Sequence, residues 1–503
     1  MADNTPVIIG VGQVSERIGE ADYRERSPMD LAGDALAAAL ADAGARRKLA
    51  PALDTIAAIR QFEISGTRYG APFGHANNPP RAIGRRVGAN PQRAIVEIVG
   101  GQGPQRLVGE LAAEIAAGRS QMAAIVGSEA ISTTRALVAR GATRDWSETR
   151  RGSIEDRGYG HSGVYDATLV RHGAGTPIAS YALAENVRRE RLGLSLDDYR
   201  QQIGALFAPF TQVAAANPHA AAPVVRSADE LAHLDERNRL VAEPYGRLVV
   251  SRDQVNQGAA IVLASAGEAR RLGVPEDRWV HIHSVADHSE PSLLSRESLE
   301  RSPASVATLS SALEVAGADW KKIDFVDLYS CFAIPVFNVL DAFGLDRDDP
   351  RGWTLTGGLP FFGGAGNNYA AHAIAEAVTR CRAAPGSRAL VGANGGIMSK
   401  YAAAIYSTTP ADWSQSRWFS LPRTQAASRV LDDFAGEAVA ESFTIQPGKA
   451  GEVATIAGRT GDARFCANSS DPAICAELRK GKASGRPIRV EETDQGLNHF
   501  WFI

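Results

Sequence analysis

One pattern occurs twice in this chain and constrains its fold more than any other feature: serine and proline, an apolar helix, an Ala-Gly stop and a short strand. Ser27-Pro28 opens the first copy, where serine can cap a helix and proline suits its first turn. Leu31, Leu36 and Leu40 follow at roughly helical spacing, Ala43-Gly44 closes the segment, and Ile56-Ala57-Ala58-Ile59 reads as a strand. The second copy opens at Ser302-Pro303 and carries Val306, Leu309 and Leu313 on one face. It closes at Ala316-Gly317 and runs into Ile323-Asp324-Phe325-Val326-Asp327-Leu328. A second pair of segments repeats as well. A helix from Leu107 to Ile115 precedes Ala123-Ala124-Ile125-Val126-Gly127, and a helix from about Ala370 to Cys381 precedes Ala389-Leu390-Val391-Gly392. Short apolar strands alternating with helices predict buried sheets, so the expectation is an α/β chain of two similar halves.

The halves are spaced by a polar stretch, about 128–254, that reads as an insertion over the first half. It holds a basic, glycine-rich portion (Arg135 to Arg171) and a helical pair at Tyr181 to Arg191 and Ser195 to Ala216. Inserted segments of this length often carry binding. The expected domains are therefore 1–270 with its loop domain and 271–410. A linker follows at Thr408 to Trp418, then a small β-rich domain over 415–503. In that last domain Glu452 to Ile456, Ala463 to Cys466 and Ile488 to Val490 alternate like strands with one solvated face. Its eleven basic and eleven acidic residues balance, which argues against nucleic acid even if the fold is a small barrel.

Composition excludes further classes. At 503 residues the chain is too long for one core. A formal net charge of -3 gives no field for nucleic acid or an anionic membrane. No apolar stretch has the length of a transmembrane helix, and the first residues lack the basic and apolar regions of a signal peptide. Four cysteines without metal-type spacing (Cys331, Cys381, Cys466, Cys475) predict reduced thiols and a cytoplasmic protein.

Several motifs, in chain order, resemble the thiolase superfamily over roughly residues 5–408. Asn256 to Leu263 resembles the N-D-G-A-A strand that returns from the loop domain. Tyr329-Ser330-Cys331-Phe332 stands where these enzymes have N-E-A-F or H-D-C-F. Gly357-Gly358-Leu359 through Gly363-Gly364 resembles the G-G-x-x-x-x-G-H-P loop, and Gly392-Ala393-Asn394-Gly395-Gly396 stands where thiolases have C-I-G-G-G. The resemblance implies a five-layer αβαβα fold of two halves with a loop domain that holds coenzyme A. The extra C-terminal domain resembles the OB-like extension of proteins related to sterol carrier protein thiolases.

The family's chemistry needs a thiolate at a helix N-terminus, where the dipole and free N–H groups lower the cysteine pKa. The resemblance places that nucleophile after the expected strand Ala94 to Val99, at Gly100, in a turn Gly100-Gly101-Gln102-Gly103 with no cysteine, serine or threonine. Covalent acyl transfer lacks its atom there. The family's second cysteine falls at Gly392 and its histidine at about Gly364. Of what remains, Cys331 reads as a general acid/base or as a buried small hydrophobe. Tyr329 reads as a donor to a thioester oxygen or as a packed aromatic. Backbone N–H groups at Gly100 and Gly395 are candidates for an oxyanion hole. Asn367, Tyr369 and Asn394 are candidate substrate contacts, and His372 is either a site residue or part of a helix. The basic run Arg144, Arg150, Arg151 and Arg157, with His161, lies where the family contacts the nucleotide, or else is a solvated lid. His281 and His283 share one face of a strand with His288 beyond them, but a core reading is preferred and no metal is expected.

These readings predict a thiolase-like, acyltransferase-family protein that binds a CoA thioester, with no other cofactor and thiolysis weak or absent. Two alternatives stand beside it: a retro-aldol C–C lyase acting on a β-hydroxyacyl-CoA, and a non-enzymatic carrier of CoA esters or lipids. The expected partners are CoA or acyl-CoA, with no nucleic acid and no membrane, in a monomer or homodimer.

Overall fold

The computed structural model describes residues 2–66 and 70–503. The first half contributes β1 (Pro6–Ser15), α1 (Pro28–Asp42), β2 (Thr55–Ala58), β3 (Arg93–Val96), α2 (Gly103–Ala116) and β4 (Met122–Ala130). The insertion follows, with β5 (Glu155–Asp156), α3 (Pro177–Arg191) and α4 (Leu196–Ala216), before β6 (Asn256–Ser265) returns to the sheet. The second half contributes β7 (Val280–Ser289), α5 (Pro303–Val315), β8 (Phe325–Asp327), α6 (Ala333–Phe343), α7 (Tyr369–Ala383), β9 (Arg388–Gly395) and β10 (Lys400–Ser407).

The repeat seen in the sequence is a repeat of topology. The first half runs β2-β4-β6-β1 across its sheet and the second runs β8-β9-β10-β7. In each path the first pairing is parallel and the next two antiparallel. The two paths join where β1 pairs with β7, Val7 opposite His281 and Ile8 opposite Val280. Helix α1 packs on one half and α5 on the other, while α2 and α7 lie between them against both. The result is the five-layer αβαβα arrangement. Every residue of β4 and of β6 is buried, as strands covered on both faces require.

The Ser-Pro signal works as a cap in both copies. The Ser27 hydroxyl accepts from the Asp30 N–H, Asp30 returns a bond to the Ser27 backbone, and Pro28 occupies the first turn. Ser302 caps α5 by accepting from the Ser305 N–H. The strand expected over 94–99 stops at Val96. Glu97 N–H still reaches the Ala58 carbonyl, but Val99 N–H bonds Tyr159 O at 3.0 Å, so the chain has left the sheet for the insertion.

Beyond β10, the expected loose linker is packed instead. Trp413 donates its indole N–H to Ile282 O at 2.9 Å. Strand β11 (Trp418–Ser420) runs parallel to β7, and Trp418 donates to Asp287 Oδ1 at 2.7 Å. A Cβ on Gly109 of α2 would stand 2.5 Å from Trp418 Cδ1, so the indole nests on a notch that only glycine leaves. The C-terminal domain contains β12 (Arg429–Val430), β13 (Gly436–Gly448), β14 (Gly451–Thr460), β15 (Ala463–Ser469), α8 (Pro472–Lys480), β16 (Pro487–Glu492) and β17 (Asn498–Phe502). Pairing of β15 with β17 closes β13 to β17 into a small OB-like barrel around Phe443, Phe465 and Phe500.

The barrel is docked by buried polar contacts. Arg464, 1% exposed, donates to the carbonyls of Leu294, Arg296 and Glu297. Asn186 on α3 donates to Phe443 O, and Ser442 donates to Leu183 O. No helix among the described residues is long and apolar enough to cross a membrane.

Candidate functional site

The site is built around the turn between β3 and α2. Gly100 has φ +141°, in the region that favours glycine. A Cβ on residue 100 would stand 2.1 Å from Gln102 Oε1, and a Cβ on residue 395 would stand 2.2 Å from the same oxygen. The Gln102 carboxamide, 3% exposed, thus folds back into the volume that side chains at 100 and 395 would claim. Its Oε1 has no hydrogen-bond partner among the described residues. From the other half, Tyr329 closes the far side: a Cβ on residue 101 would meet its hydroxyl at 2.3 Å and Asn394 O at 2.5 Å. Glycine at 100, 101 and 395 is therefore what lets the two halves meet.

The remaining family positions do not converge on this point. A side chain at residue 364 would point at Ser251 Oγ, 2.5 Å away, and Gly364 N–H is bonded to Arg252 O at 2.7 Å. A side chain at residue 392 would face Leu328 and Leu309, across a cavity of about 30 Å³ that Tyr329 and Asn394 also line. That volume suits a water or two.

Comparison with solved structures identifies the family. The crystal structure of a monomeric SCP2-thiolase-like protein type 1 from Mycobacterium smegmatis shares 40% identity over 100% of both chains, with a TM-score of 0.84. The chain belongs to the SCP2-thiolase-like proteins. Residues 423–495 match the thiolase-like protein type 1 additional C-terminal domain. Two more distant structures share the fold: the Ltp2-ChsH2(DUF35) aldolase (20% identity, TM-score 0.58, 80% of this chain and 98% of that one), and an acetyl-CoA acetyltransferase from Syntrophomonas wolfei (17%, 0.55, 80% and 99%). No curated protein sequence matches the chain.

In this SCP2-thiolase-like chain two expectations about the turn need correction. The Gly100 N–H is no free oxyanion donor, because it donates to Asn367 Oδ1 at 2.9 Å. Asn367 in turn donates to Arg60 O at 2.7 Å and Ser65 Oγ at 3.3 Å, so its carboxamide braces the turn and has nothing left for a substrate. Tyr369 is corrected likewise. Its hydroxyl lies 2.5 Å from Thr356 Oγ1 and donates to Asp327 Oδ1 at 3.4 Å, and its ring stands edge-on to Tyr329 at 5.3 Å. Burial raises Asp327 to about 6. Asn394 donates to the Tyr181 hydroxyl at 3.2 Å, while its Oδ1 has no hydrogen-bond partner among the described residues. Gly395 ends β9 against Gly100 and Gly101.

Cys331 is 8% exposed, and burial pushes its thiol up to about 12, a shift that the Tyr181 hydroxyl opposes. Roughly one thiol in 10⁵ is ionised at neutral pH, so it is no ready base. Tyr329 is half-buried; burial, with Cys331 nearby, raises its phenol above the ordinary range, which suits a hydrogen-bond donor. Of the basic run, Arg144 pairs with Glu25, Arg150 with Glu148, and Arg157 with Glu97, Glu110 and Glu155. Those three are spoken for inside the protein, and Arg151 is exposed. His161 packs between the rings of Tyr159 and Tyr165, its pKa lowered by burial and by Lys400.

His283 and His288 bond the carbonyls of Thr409 and Pro422, and burial holds His281 at about 4. His372 bonds Gln13 Oε1 at 2.7 Å and is pushed by burial to about 3. Among the described residues no group of three or more His, Cys, Asp or Glu is placed to hold a metal.

Gln102 and Lys400 are the residues that sequence reasoning missed. Lys400 Nζ donates to Val99 O at 3.0 Å and Gly160 O at 2.6 Å, directly behind Gly100. Its signal was a lone lysine opening the apolar run Tyr401 to Ile405.

Proposed function

We propose that this SCP2-thiolase-like protein binds CoA thioesters without making a cysteine acyl-enzyme. The observation that carries the reading is the Gln102 carboxamide standing where the family's nucleophile would be. Three supports accompany it: the acid/base positions 364 and 392 are glycines, Cys331 is held as a thiol, and Tyr329 presents its phenol to the turn. A thioester carbonyl at this point would meet a hydrogen-bond donor and no nucleophilic sulfur. The Mycobacterium smegmatis relative is described as monomeric, and a monomer is the state we extend to this chain.

The test is direct. Purified protein incubated with acetoacetyl-CoA and CoA forms no acetyl-CoA, while calorimetry detects binding of acyl-CoA. Steady thiolytic turnover defeats the reading of Gly100, and absence of any CoA binding defeats the ligand.

A retro-aldol cleavage of a β-hydroxyacyl-CoA is the second reading, favoured by the Tyr329 hydroxyl at the turn. It requires a base for the β-hydroxyl proton, and the raised phenol serves as an acid. Release of an aldehyde or ketone from such a substrate promotes it to first.

A further inference from the structure

Three arginines late in the insertion come together with no carboxylate free to pair them. Arg252 is half-buried. Its Nε is shut away from solvent and has no hydrogen-bond partner among the described residues. The charged groups that act on Arg252 are Arg247 and Arg226, both of like sign, and Asp253. Asp253 is already held by Arg135 at 2.7 Å. Arg226 comes only within 4.0 Å of Glu230, a carboxylate that accepts from the Ser227 N–H at 2.8 Å. Arg247 is exposed. This is the reverse of the run 144–157, where Arg144, Arg150 and Arg157 are paired with glutamates.

A guanidinium with a buried, unbonded nitrogen costs free energy, and like charges beside it raise that cost. The chain nevertheless assembles the cluster from three anchored segments. Arg226 is pinned to α4, where its N–H donates to Thr211 Oγ1 at 3.0 Å. The Arg247 N–H donates to Arg239 O at 3.0 Å. Arg252 is strapped across the glycine loop: its N–H donates to Leu359 O at 3.1 Å and its carbonyl accepts from the Gly364 N–H at 2.7 Å. One residue earlier, the Ser251 N–H bonds Cys331 O at 2.9 Å. The cationic cluster is thus tied through its backbone to the loop and the cysteine that border the candidate site.

We propose that Arg252, Arg247 and Arg226 form a binding site for a phosphate monoester. Such a group has its second pKa near about 6 and is a dianion above neutrality. Its oxygens accept in pairs from the planar guanidinium fork, which gives the Arg252 Nε the partner that the fold withholds. Three cations match a dianion better than a single carboxylate. The 3′-phosphate of CoA is one phosphate monoester of this kind. Assigning the site to it rests on the function proposed above, whereas the phosphate site itself does not.

The experiment uses the full chain and Arg252→Met at pH 7.5 and fixed ionic strength. Calorimetry compares CoA with dephospho-CoA, which lacks the 3′-phosphate, and thermal unfolding is followed with and without inorganic phosphate. The wild type is expected to bind CoA about ten-fold more tightly than dephospho-CoA, as for loss of a charge-assisted hydrogen-bonded group. Arg252→Met is expected to bring the two within about two-fold and to melt no lower than the wild type without ligand, because it removes an unpaired charge. Arg247→Gln, at an exposed position, repeats the comparison without risk to the fold. Equal binding of the two nucleotides, with phosphate still raising the melting point of the wild type and not of Arg252→Met, sustains the site and removes CoA as its source. The same phosphate response with no binding of CoA at all defeats the function proposed above and leaves the site standing. A ratio unchanged by both substitutions, or no difference between the nucleotides and no response to phosphate, overturns the proposal.

Discussion

An oxygen of Gln102 lies 2.1 Å from where a Cβ on residue 100 would stand, so a cysteine placed there has no room for its sulfur. Gly100→Cys puts a side chain at φ +141° and into that oxygen, and we expect it to lower stability by about 1–3 kcal/mol in urea unfolding with no gain of thiolysis. Adding Gln102→Ala vacates the clash, so the double variant recovers about 1 kcal/mol relative to the sum of the singles. The glycine turn at 100–103 was legible because it needs only the order of residues. The plug was not. Gln102 folds back only because Gly395, nearly three hundred residues later, leaves it room, and no local pattern reports that. Asn367 and Tyr369 misled for the same reason. Their polar atoms looked available in sequence, yet buried partners from Arg60, Thr356 and Asp327 consume them.

Elements were legible in proportion to how local their signals are. Serine caps, a first-turn proline and 3.6-residue spacing all act within one turn, so α1 and α5 began where read. The stretch 408–418 was misread because proline, serine and tryptophan look like a linker, whereas β7 supplies a sheet edge from far upstream and Gly109 supplies the notch. That packing is testable. Trp418→Ala removes the indole from Gly109 and its bond to Asp287, and a loss of about 2–4 kcal/mol in chemical denaturation is expected, as for a large ring deleted from a packed site. Wild-type stability in that variant marks β11 as dispensable. The barrel's strands were read in part. Strand β13 and the closing strand β17 escaped notice because their inward residues alternate too irregularly to stand out, and closure depends on a pairing between distant segments.

Across the whole molecule, buried carboxyls set the response to pH. Glu185 on α3 is fully buried, and burial raises it to about 7 even though Tyr199 and Tyr245 donate to its oxygens. A carboxyl raised in the fold contributes stability below its unfolded pKa of about 4.5 and loses it as pH climbs through the folded value. Stability should therefore fall between pH 5 and 8, by up to about 3 kcal/mol from this group, and Asp327 adds a change of the same sign. Glu185→Gln should flatten the profile measured by urea unfolding, and an unchanged slope assigns the effect elsewhere. The repeat, the insertion and the barrel were each visible as texture in the sequence, but their docking was not, since it runs through single buried side chains. The clamp of Arg464 on three carbonyls of the 294–297 segment has a mechanical consequence: the barrel cannot melt without stripping partners from the chain that leads into α5. Appendage and core are thereby coupled into one cooperative transition, and a protease that opens the barrel loosens the second half along with it.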